Sequence, residues 1–126
     1  MNLFIKEFKS SCEELKKNNI KVVFSGRKSP LRRDLLEAMD YLRDETKDNT
    51  GGILNICLNY GGQSEIVEAT KDIVKDLLEG KISKEEITPD LFKKYLYQDL
   101  PPVDLMIRTG GDVRVSNFLL WQIAYA

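Results

Sequence analysis

Arg108-Thr109-Gly110-Gly111, with Arg114 and Ser116 just after it, combines residue types that can hold a phosphate. A guanidinium meets phosphate oxygens through two parallel N–H donors, a geometry that lysine cannot copy. Paired glycines let successive backbone N–H groups turn toward an anion without a steric penalty. A serine hydroxyl at a helix start adds a donor where the helix dipole already favours negative charge. The sequence therefore predicts a phosphate-binding loop at the end of a buried strand, built on Arg108, Arg114 and Ser116 and supported by Thr109, Gly110 and Gly111. A plain turn with Arg108 paired to Asp104 or Asp112 is the competing reading of the same residues.

Other positions carry weaker chemistry. Asn59-Tyr60-Gly61-Gly62 holds a second glycine pair, which a strand-to-helix turn with Tyr60 packed on the sheet also explains. Arg27, Arg32 and Arg33 cluster around a helix start, where positive charge opposes the helix dipole. Trp121 lies in the apolar stretch 118–126 and reads as a core or subunit-interface aromatic. The chain has no histidine, which excludes a Ser-His-Asp triad and a Cys-His dyad. Its two cysteines, Cys12 and Cys57, form no metal-ligand spacing and read as reduced thiols.

The elements that must position these residues follow from periodicity. Phe4, Phe8, Cys12 and Leu15 repeat at helical spacing, ending near Asn18-Asn19. Residues 20–24 are β-branched and aromatic, a strand stopped by Ser25-Gly26. Ser29-Pro30 predicts a helix start, with Leu31, Leu35, Ala38, Met39 and Leu42 on one face. Residues 53–58 are mostly apolar, as in a strand covered on both faces. A helix after Gly62 has Ile66, Val67, Ile73, Val74, Leu77 and Leu78 inward and Gly80 as its stop. Ser83 and Glu86 form a capping box, and Thr88-Pro89 opens a short helix carrying Leu91, Phe92 and Tyr95. Residues 103–107 predict a third strand, and Ser116 a cap for a last helix over 117–126. Alternating strands and helices predict an α/β fold with a parallel sheet, and three strands are few for one.

A length of 126 residues fits one domain. A net charge of −1 gives no basic field to attract nucleic acid. Residues 1–9 do not form a secretory signal, and no apolar run reaches the roughly 18 residues of a membrane span, so a cytoplasmic protein is expected.

Three stretches together carry a family signature. Leu58-Asn59-Tyr60-Gly61-Gly62, then 104–111 (Asp-Leu-Met-Ile-Arg-Thr-Gly-Gly), then 114–122 (Arg-Val-Ser-Asn-Phe-Leu-Leu-Trp-Gln) resemble the cis-prenyltransferases, of the bacterial isoprenyl transferase or undecaprenyl diphosphate synthase type. The resemblance implies a parallel sheet flanked by helices. It also implies condensation of isopentenyl diphosphate onto an allylic diphosphate, usually farnesyl diphosphate, with release of diphosphate. It further implies Mg2+, a homodimer, a role in making the lipid carrier of cell-wall synthesis, and transient contact with a membrane surface for the lipid product. Carried over, Arg108, Arg114, Val115 and Ser116 bind the diphosphate of isopentenyl diphosphate.

The departures bear on activity. The family's Asp-Gly-Asn-x-Arg-Trp loop, which supplies a magnesium-binding aspartate and holds the allylic diphosphate, is absent. So is the magnesium-binding glutamate that follows Ala-Tyr-Ala in the family, and Asp112 stands where glutamate is usual. The expectation is therefore a single partial domain, 1–126, with neither metal ligand nor catalytic residue of its own. Such a chain binds isopentenyl diphosphate at best and is inactive alone. A non-catalytic subunit completing a partner's site is the alternative, since it would keep the same arginine loop.

Overall fold

The computed structural model describes residues 2–126, with the side chain of Asn2 left out. The chain divides into two compact units, 1–59 and 60–126.

The first unit is a βαβ arrangement preceded by a helix. Helix α1 (Asn2–Lys17) is followed by strand β1 (Ile20–Ser25), helix α2 (Arg33–Thr46) and strand β2 (Gly52–Cys57). The strands pair in parallel, Ile20 opposite Gly52 and Ser25 opposite Cys57. The predicted α/β fold with a parallel sheet is what forms, and among the described residues that sheet has two strands. Phe8 and Cys12 of α1, Val22 of β1, and Leu35, Ala38, Met39 and Leu42 of α2 form the core. Burying a side chain such as Leu35, fully enclosed here, contributes about 1.5–3 kcal/mol. Burial pushes the Cys12 thiol up, and the Glu45 carboxylate raises it further; both cysteines are free.

One buried polar side chain ties helix to strand. Thr46 is fully buried, accepts from Val22 N–H at 3.0 Å and donates to Leu42 O at 2.8 Å. At the carboxyl ends of the strands, Asn59 adopts the left-handed region (φ 51°) and its amide donates to Arg27 O and Ser29 O. Gly26 is obligatory there: a Cβ would stand 1.9 Å from Leu58 O.

Two expectations fail in this unit, and the basic cluster lies at a solvated helix end as expected. Helix α2 begins at Arg33 rather than after Ser29-Pro30, because 28–31 close a turn in which Leu31 N–H donates to Lys28 O. Strand β2 is not covered on both faces, for Ile53 and Leu54 are 53% and 42% exposed. The basic cluster is partly neutralised, with Arg32 paired to Asp34 and Arg33 to Glu37.

The second unit contains α3 (Gly62–Leu78), a 3-10 turn (Lys84–Glu86) and α4 (Pro89–Lys94). Several local signals act as predicted. Gly80, at φ 72°, ends α3 while Lys81 N–H reaches back to Asp76 O. Ser83 and Glu86 close a capping box, and Thr88 Oγ1 caps α4 by accepting from Leu91 N–H. The inward face of α3 is different from the apolar one expected. Gly62, Glu65, Ala69 and Ile73 are buried, whereas Val67, Val74 and Leu78 are exposed. The buried set spans Gly62, Glu65, Ala69 and Ile73 at helical spacing, so of the buried residues Ile73 is the expected branched one and the others are small residues and a carboxylate.

Candidate functional site

The predicted loop is present, but neither the strand before it nor the helix after it forms. Residues 103–107 join no sheet, and Leu105 and Ile107 are 73% and 78% exposed. A strand needs a neighbour to take its N–H and C=O groups, and here Val103 N–H donates instead to Gln122 O at 3.0 Å. Residues 117–126 run as successive turns, because Ser116, Asn117 and Leu119 all take positive φ (47°, 62° and 48°). Left-handed residues cannot propagate a right-handed helix. Ser116 is thus not a helix cap.

The loop nonetheless gathers its predicted polar groups. One guanidinium nitrogen of Arg108 donates both to Arg114 O and to Ser116 Oγ, each at 2.8 Å. The competing reading holds alongside: Asp112 lies 3.6 Å from Arg108 and 3.3 Å from Arg114. Two cations, a hydroxyl and a single carboxylate therefore share one turn. Gly110 and Gly111 (φ 103° and 80°) form the bend, and a Cβ on either would meet no atom within 4 Å. The bend is open on that side, so an anion can approach the backbone. Arg108, Thr109, Gly110, Gly111, Arg114, Val115 and Ser116 all lie on this exposed turn.

The other glycine pair has a structural use. A Cβ on Gly62 would stand 2.8 Å from Leu120 Cγ and 3.1 Å from Asn117 O, and one on Gly61 2.9 Å from Asn117 Nδ2. Asn117 caps α3 from far along the chain: its carbonyl accepts from Gly62 N–H at 2.7 Å and its Oδ1 from Gln63 N–H at 2.9 Å. These bonds take up N–H groups that an anion at this helix start would use. Tyr60 packs edge-on against Tyr97 and Phe118, and Trp121 stacks at 4.6 Å on Phe92.

The sequence reading missed the residues that fix this unit. Glu65 is 2% exposed and accepts from Tyr60 OH (2.6 Å), Gln122 Nε2 (2.9 Å) and Tyr97 N–H (3.0 Å). Asp76 accepts from Tyr95 OH at 2.6 Å, a bond that pushes the Tyr95 hydroxyl up. A carboxylate interrupting the apolar face of α3 was the available signal for Glu65; Asn117 and Gln122 carried none.

No cluster of three or more Cys, Asp or Glu side chains among the described residues is placed to hold a metal ion. The carboxylate in the loop, Asp112, is engaged by two guanidinium groups. The donor set does not fit magnesium.

Comparison with known proteins agrees with the fold. The family described as "Putative undecaprenyl diphosphate synthase" matches residues 1–126. The isoprenyl transferase of Fusobacterium nucleatum is 47% identical over 126 residues, all of this chain and 52% of that protein. The (2E,6E)-farnesyl-diphosphate-specific ditrans,polycis-undecaprenyl-diphosphate synthase of Francisella tularensis is 44% identical over 126 residues, all of this chain and 49% of that protein. The crystal structure of lavandulyl diphosphate synthase from Lavandula x intermedia in complex with dimethylallyl diphosphate superposes with a TM-score of 0.90 at 31% identity, over 97% of this chain and 54% of that one. The chain belongs to the undecaprenyl diphosphate synthase family of cis-prenyltransferases. It spans about half the length of the curated relatives it matches.

Proposed function

We propose that this chain is the isopentenyl-diphosphate-binding portion of a cis-prenyltransferase. The observation that carries the reading is the Arg108 guanidinium, which bonds at once to Arg114 O and Ser116 Oγ. Arg108, Arg114 and Ser116 hold the diphosphate, Val115 contributes from the same segment, and Thr109, Gly110 and Gly111 let the backbone approach it. The bound diphosphate replaces Asp112 as the partner of both arginines. That exchange is favourable because a diphosphate offers more charge and more acceptor oxygens than one carboxylate.

In the complete enzyme the isopentenyl unit is condensed onto an allylic diphosphate, farnesyl diphosphate by the resemblance, to make a cis-polyprenyl diphosphate. We place that protein in the cytoplasm, as a magnesium-dependent homodimer that touches the membrane surface only to hand over product and has no nucleic-acid partner. The 126 residues form a single partial domain of it. Ionisation of an allylic diphosphate builds negative charge on the leaving group, which a metal ion offsets. The described residues offer no such metal site, which supports the reading that this chain is inactive alone.

Two measurements test this. Calorimetric titration should show isopentenyl diphosphate binding that Arg108→Lys weakens about 10–100-fold, since a bidentate charge-assisted contact is lost. Unchanged affinity in that variant would remove the loop from the site. Radiolabelled isopentenyl diphosphate, supplied with farnesyl diphosphate and magnesium, should yield no prenyl product from this chain; incorporation would overturn the inactivity.

A further inference from the structure

The arginine–serine turn has no regular element of its own. Its glycines face open space, and among the described residues Arg108 bonds only to neighbours within the turn and its flanks. Something outside the turn must set where it lies. Two pins do so, and both end on α3. The first is Asn117, which accepts from Gly62 and Gln63 N–H. The second is Gln122, whose backbone carbonyl takes Val103 N–H at 3.0 Å and whose side chain donates to Glu65 at 2.9 Å. Gln122 thus joins the chain entering the turn to the chain leaving it, and attaches both to one carboxylate. At and beside the first pin, Ser116, Asn117 and Leu119 are all left-handed. Each such residue costs about 1–3 kcal/mol and persists only where its surroundings hold it.

We propose that Glu65 is a positioning residue for the Arg108–Arg114–Ser116 cradle, acting through Gln122; this rests on the diphosphate reading above. The Gln122 amide carries the sign of this role. Its Oε1 is buried with no hydrogen-bond partner among the described residues, while its Nε2 is turned to Glu65. The amide accepts an unsatisfied oxygen in order to keep one bond, so the carboxylate dictates its orientation. Glu65 itself is 2% exposed and accepts from three donors. Enclosing a carboxylate is costly, and an apolar side chain often packs as stably. What an apolar side chain cannot do is fix the direction of Gln122.

Glu65→Gln tests this, because the amide keeps the shape but turns its own NH2 either toward Tyr97 N–H or toward both Tyr60 OH and Gln122 Nε2. Isopentenyl diphosphate and isopentenyl monophosphate are titrated into the chain and the variant by calorimetry, and amide hydrogen exchange is followed over 108–117 without ligand. The variant should bind the diphosphate about tenfold more weakly and the monophosphate within about twofold of the parent, since one phosphate does not need both arginines registered. Exchange over 108–117 should rise while that over 1–59 stays unchanged. The exchanged pair, Glu65→Gln with Gln122→Glu, restores a 65–122 bond and should recover most of the lost affinity. Parent-like exchange and affinity in Glu65→Gln, or equal weakening of both ligands, would sink the proposal. If the parent binds neither ligand yet Glu65→Gln still loosens 108–117, positioning stands and the diphosphate reading falls. Should Glu65→Gln fail to fold, Gln122→Met carries the same comparison, with the same expected and overturning results.

Discussion

Residues 1–59 and 60–126 are each held by a different kind of interaction. The first unit buries a contiguous apolar set from two helices and a strand, with Thr46 as its polar tie. The second buries few apolar side chains (Ala69, Ile73 and Leu96) and relies on directed bonds to Glu65, Asp76 and Asn117. Apolar burial is roughly proportional to area and indifferent to direction. Hydrogen bonds to a buried carboxylate are directional, and losing one partner leaves the others exposed to the full desolvation penalty. The unit that carries the Arg108–Arg114–Ser116 turn is the one whose geometry is fixed by direction.

The largest effect that would sharpen this contrast is in the first unit. Leu35→Ala should destabilise the chain by about 3 kcal/mol, the usual cost of a buried leucine truncation, measured by denaturant unfolding. It should leave amide exchange over 108–117 unchanged; a loosened loop would erase the distinction. Asn117→Ala comes next. Removing the distant side-chain cap should cost about 1 kcal/mol and raise exchange at Gln63, while Leu42 and Val22 keep parent-like protection. The smallest effect is at the start of α2. Burial alone would push the Asp34 carboxyl up, but the Arg32 guanidinium and Leu35 N–H outweigh it and hold Asp34 below the ordinary aspartate range. A lowered folded value contributes stability above the unfolded value, lost as pH falls through the folded one. NMR titration of Asp34 should show that lowered midpoint, and Arg32→Ala should return it to normal.

The same division explains what could be read from the sequence. Phe8, Cys12, Leu35, Ala38 and Leu42 announced their helices because each apolar periodicity found a partner face within the same unit. The cradle was also legible, since Arg108, Asp112, Arg114 and Ser116 are close along the chain and their chemistry is local. What failed depended on distant residues. Residues 103–107 have a strand's composition, but a ladder needs a neighbour that composition does not supply. Ser116 and Asn117 have the chemistry of a helix start, yet Asn117 caps α3, 54 positions back, and the backbone turns left-handed to let it. Glu65 and Gln122 are 57 positions apart and announce nothing to each other in one dimension.

The bond from Val103 N–H to Gln122 O gives the cradle a property of a different order. It makes the ends of the excursion meet, so the intervening chain is a closed loop whose length is nearly free to change. Each doubling of such a loop costs only about 0.6 kcal/mol in closure entropy. An insertion between Gly110 and Gly111, where the backbone faces open space, would alter the outline of the arginine turn and leave the fold's stability almost untouched.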